Sequence, residues 1–167
     1  MELYYSDNYK KSDFENLEEV SNKKRYGQKS LEATAIICLV IYGAIKITGW
    51  FAQGYFTKLG ELTAENNFKK YQDFKSKLAK TLFKNSNPVF AIQFNHNNCQ
   101  VRVFFNPSSE DNFKNDLDAT NEIYNKITKY IDSKRSEIKM MTISLKDSII
   151  TDLYYVDKDN NIFSIDR

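Results

Sequence analysis

The chain carries one histidine, His96, in the run Asn95-His96-Asn97-Asn98, with Cys99 three residues on. A Cys-His or Ser-His-Asp arrangement needs the imidazole within hydrogen-bond reach of its nucleophile. Here the spacing places His96 and Cys99 across one tight turn, so His96 reads as a solvent-exposed turn residue. Asp157-x-Asp159-x-Asn161 copies the first three oxygen ligands of a calcium loop. The glycine required next is Ile162, and no twelfth-position glutamate follows, so a hairpin turn is the simpler reading. Cys38 lies in an apolar run and Cys99 in a strand-like segment, which gives neither a disulfide framework nor a zinc set. Five glycines in 167 residues offer no phosphate-cradling loop. The acids Glu110, Asp111, Asp116, Asp118 and Glu122 read as the solvated face of a helix. No catalytic residue, cofactor site or metal site emerges, and the expectation is a protein that is not an enzyme.

The elements that would position a functional surface are easier to read. Residues 33–56 form a 24-residue stretch with one charge, Lys46, and with Trp50, Phe51, Tyr55 and Phe56 at its end. At about 1.5 Å per residue such a helix crosses a hydrocarbon core of roughly 30 Å, its aromatic end at the headgroups. The expectation is a single transmembrane helix over 33–56, preceded by an extramembrane tail over 1–32. Basic residues before it (Lys23, Lys24, Arg25, Lys29) place the N-terminus on the cytoplasmic or matrix side of a bacterial or mitochondrial inner membrane. Helical spacing puts Gly43, Lys46, Trp50 and Gly54 on one face, a candidate helix–helix interface. Lys46 has two readings, reaching to the nearer interface or pairing with a neighbouring helix.

Residues 57–167 read as a separate small α+β domain. Apolar spacing predicts helices over 61–84 and, with Ser109 as N-cap, over 110–133. Alternation predicts strands over 90–94, 99–105, 137–145, 149–156 and 161–166. The resulting order is α-β-β-α-β-β-β, with two helices on one face of a largely antiparallel sheet.

A net charge of +2, with basic residues mostly lysine, argues against nucleic acid as a partner. The layout points to a non-catalytic accessory subunit or assembly factor of a larger membrane complex. Its partners would be other membrane subunits and the lipid bilayer. The alternative is a membrane-anchored module that binds a soluble protein or peptide, for instance by strand addition at a sheet edge.

Overall fold

A computed structural model describes residues 2–17, 20, 22–25, 36–40, 61–85, 88–134 and 137–165, with backbone alone for 36–40, 61–68, 70 and 121. The strands are β1 (Glu2–Tyr5), β2 (Asn22–Arg25), β3 (Ile36–Val40), β4 (Val89–His96), β5 (Cys99–Phe105), β6 (Ile138–Lys146), β7 (Ile149–Asp157) and β8 (Ile162–Ser164). A single 3-10 turn, Lys11–Phe14, follows β1; helix α1 is Glu61–Leu82 and α2 is Glu110–Ser133. All eight strands join one sheet in the order β2-β1-β3-β4-β5-β6-β7-β8.

Two expectations are overturned here. The transmembrane helix is the first, because 36–40 form a strand paired with β1 on one side and β4 on the other. Among the described residues no helix is long and apolar enough to cross a membrane. A single-pass, inner-membrane placement therefore loses its support. The physical reason lies in Ile36-Ile37-Cys38-Leu39-Val40 itself. A strand paired along both edges can be an unbroken apolar run, and hydropathy cannot tell such a run from part of a helix. Second, the expected tail is structured: β1 pairs with β2 and β3, and Leu3 and Tyr5 are buried in the common core. The sheet is antiparallel at four of its seven pairings. β1–β2, β3–β4 and β5–β6 are parallel, whereas β1–β3, β4–β5, β6–β7 and β7–β8 are antiparallel. Parallel neighbours need a long crossover, and α1 and α2 lie within the connections β3 to β4 and β5 to β6.

The core lies between the helices and one sheet face. On α2, Phe113, Leu117, Thr120, Tyr124, Ile127 and Ile131 recur every three or four residues, and all are buried. They meet Phe90, Ile92 and Phe94 of β4 and Val101, Val103 and Phe105 of β5. Ser109 caps α2, its Oγ accepting from the Asn112 N–H at 3.1 Å. From α1, Phe74, Leu78, Ala79 and Leu82 enter the same core. The N-terminal segment closes over the end of α1. Tyr9, fully buried, donates its hydroxyl to the Leu82 carbonyl at 3.0 Å, satisfying an acceptor that a helix end leaves without an intrahelical partner. Burial pushes the Tyr9 phenol up to about 12, so it remains a donor.

Candidate functional site

Gly43, Lys46, Trp50 and Gly54, the expected helix–helix face, lie outside the described residues. The other residues singled out by type are placed, and each has a structural task.

His96 and Asn97 belong to the β4–β5 turn. Asn97 and Asn98 take φ of 46° and 63°, the pair of left-handed residues that a two-residue type I′ hairpin requires. Asp132, near the end of α2, grips this turn: its Oδ1 lies 2.8 Å from His96 Nε2 and accepts from Asn97 Nδ2 at 2.7 Å. The expected free turn histidine is thus tied to a carboxylate, its side chain 18% exposed. Cys99 is fully buried on the helix side of β5. Burial pushes its thiol up to about 11, which leaves it an unreactive filler.

At the other end of α2 the β6–β7 turn is held in a matching way. Asp147 and Ser148 have φ of 49° and 65°. Asp147 Oδ1 accepts from the Ser108 N–H at 2.8 Å and from Asn112 Nδ2 at 2.9 Å. The Ser108 N–H foremost, with the Ser108 and Asn112 side chains, holds the Asp147 carboxyl below its ordinary range. Asp116 Oδ1 accepts from both the N–H (2.6 Å) and Oγ (2.8 Å) of Ser148. Its Oδ2 is buried without a hydrogen-bond partner among the described residues.

Asp116 corrects the solvated-face expectation, for it is completely buried. The signal was present in the spacing: Asp116 stands three after Phe113 and four before Thr120, inside the apolar stripe. Burial pushes its carboxyl above the ordinary range; the Ser148 hydrogen bonds oppose this and the Asp147 charge adds to it. A carboxyl with a raised native pKa binds its proton more tightly when folded. Its contribution is therefore full below the unfolded value of about 4 and is lost as pH rises through the higher native value. Asp116→Asn cannot titrate. The stability of Asp116→Asn relative to the parent is expected to rise with pH across that window and then level off. Urea unfolding of both proteins from pH 3.5 to 8 reads this directly, and a flat difference would count against it.

Asp157, first in the calcium-like run, spends its oxygens on its own turn. Oδ1 accepts from the Asp159 and Asn161 N–H groups at 2.9 and 2.8 Å, and Oδ2 from Asn161 Nδ2 at 3.0 Å. Among the described residues no group of three or more His, Cys, Asp or Glu is arranged to hold a metal ion.

What remains is a surface. The large hydrophobic side chains exposed among the described residues are Ile149 (63%), Ile162 (72%) and Phe163 (41%), all on the last two strands. β8 pairs only with 154–156 of β7, extended by one bond from the Ile165 N–H to the Leu153 carbonyl at 3.0 Å. Tyr155 and Phe163 stack there at 4.9 Å and 17°, continuing the apolar surface from the core to the edge. No family model, curated protein or solved structure matches the chain.

Proposed function

We propose that the chain is a non-catalytic module that binds a protein partner by taking an extended segment of it onto the β7–β8 edge. The observation that carries this reading is the gathering of the exposed large apolar side chains, Ile149, Ile162 and Phe163, on the two outermost strands β7 and β8. Edge strands are commonly blunted by lysine, proline or a cover. β8 reads Ile162-Phe163-Ser164 and has none of these within it. An added strand would gain its affinity from main-chain hydrogen bonds along the outer side of β8, and its selectivity from side chains beside Ile162 and Phe163. The fitting partner segment is extended, free of proline and apolar at alternate positions. A constitutive place in a larger assembly uses the same edge; the membrane element of that expectation falls with the span.

The test is a photo-reactive phenylalanine at position 163 of the full chain in its native cells, with position 24 on β2 as the comparison. A discrete protein adduct from 163 and none from 24 is expected. Ile149→Asp with Phe163→Asp should reduce the yield of that adduct, trapped from position 162, by at least about tenfold. Ile149 is 63% exposed, so its change should move stability by no more than about 0.5 kcal/mol; Phe163→Asp also loses the stack on Tyr155 and should cost about 0.5–1.5 kcal/mol more. An adduct composed of two copies of this chain, or none above background, would overturn the reading.

A further inference from the structure

The sheet face turned away from α2 carries a cation with no counter-charge among the described residues. Arg102 of β5 points to this side, because its neighbours Val101 and Val103 enter the core. Its Nε donates to Gln93 Oε1 at 3.2 Å and one Nη donates to Gln100 Oε1 at 2.8 Å. No carboxylate lies within ion-pair distance of Arg102 among the described residues. Glu2, on the same face, is engaged by Lys24 at 3.1 Å, by Asn22 at 3.3 Å and by the Tyr4 hydroxyl at 2.7 Å. Arg102 is nevertheless half-buried.

The hydrogen-bond inventory of this cluster is one-sided. A guanidinium has five N–H donors and no acceptor, so both glutamines must turn their oxygens toward it. Two donors are used. Three guanidinium N–H groups and both amide NH2 groups then donate to nothing among the described residues. A half-buried cluster of donors around an uncompensated positive charge is complementary to an anion. The two amides also hold the guanidinium in place, so little side-chain freedom is left to lose when an anion arrives.

We propose that Arg102, Gln93 and Gln100 receive a single carboxylate, the side chain of an acidic residue on a protein partner. The charge argues for a monoanion. Arg102's neighbours on this face by register and alternation are Gln93, Gln100, Phe104 and Thr142, none of them charged. One positive charge balances a carboxylate, whereas a phosphate dianion would call for a second. The reading is independent of the β7–β8 edge, three strands away.

The test uses the full chain, labelled with 15N, and follows the Arg102 Nε–H resonance. N-acetylglutamate amide is titrated in at low ionic strength, with N-acetylglutamine amide and inorganic phosphate as separate arms. Arg25, exposed and already paired with Asp7 at 3.2 Å, is the internal reference. The expected result is a saturable Arg102 shift with glutamate, half-complete on the order of 10 mM. The initial slope should be at least about tenfold that of Arg25, with no response to the glutamine analogue. Arg102→Lys keeps the charge but loses the fork, and should abolish saturation measured at neighbouring amides. If Arg102 variants fail to fold, Gln93→Leu and Gln100→Leu should each weaken the response. A linear shift parallel to Arg25 would overturn the site, and tighter binding of phosphate would overturn its assignment to a carboxylate.

Discussion

Phe90→Ala is expected to cost about 3–5 kcal/mol of unfolding free energy, a large fraction of the ~5–15 kcal/mol that holds an ordinary domain. Phe90 has no exposed surface. Its ring stands edge-on to Phe113 of α2 at 5.2 Å and 90°, and lies 5.6 Å from Phe105 of β5. Its backbone is opposite Ile37 of β3 and Phe105 of β5. Truncation thus removes the ring where two sheet neighbours and a helix converge, leaving a cavity that three elements would have to close together. Phe90→Leu keeps most of the volume and should cost clearly less. Urea unfolding with equal m-values would measure both; a loss below about 1 kcal/mol for alanine would show that the aromatic cluster does not organise the core.

The second large effect concerns the lock between the helices, and its size depends on which partner is removed. Lys75 of α1 is 5% exposed, and its Nζ donates to both oxygens of Asp118 on α2, at 2.8 and 2.7 Å. The ammonium also sits 5.2 Å from the Tyr71 ring centroid, while the Tyr71 hydroxyl donates to Asp118 Oδ1 at 2.8 Å. Burial foremost, and then the Asp118 charge, keep that phenol protonated far above neutrality. Asp118→Ala strands a buried ammonium and should cost about 2–4 kcal/mol, toward the lower end because the Asp118 side chain is half exposed. Lys75→Met removes the charge and keeps the volume, and should cost less than half as much. Equal losses, or a larger one for Lys75→Met, would show that packing of the lysine stem matters more than its charge.

Residues with strong local periodicity were legible from the sequence. The inner face of α2 follows from Phe113, Leu117, Tyr124, Ile127 and Ile131 at helical spacing, and the hairpin through Asn97-Asn98 from alternation on either side. β1 was hidden because Glu2-Leu3-Tyr4-Tyr5 is too short to display a period. β3 was misread because five consecutive apolar residues look alike in a strand paired along both edges and in a membrane helix. The functional surfaces were harder still. Arg102 and Gln100 read correctly as the polar side of a strand, but hydropathy does not say whether a polar side chain has found its counter-charge. Ile162 and Phe163 look like core residues in any sequence; only the pairing places them on the outermost strand of the described sheet.

The two margins of the sheet differ in character, and this bears on stoichiometry. The outer strand at one side is Asn22-Lys23-Lys24-Arg25, whereas the other side ends on Ile162-Phe163-Ser164. Head-to-tail growth would bring the apolar margin of one molecule against the cationic margin of the next, desolvating lysines with no acid opposite them. That disfavours the open, fibre-forming arrangement to which sheets with two receptive margins are prone. Self-association through the margins of the described sheet is favoured as a two-fold pairing, apolar margin to apolar margin, an arrangement that closes at two copies. A hetero-partner at the same place is limited to one per chain.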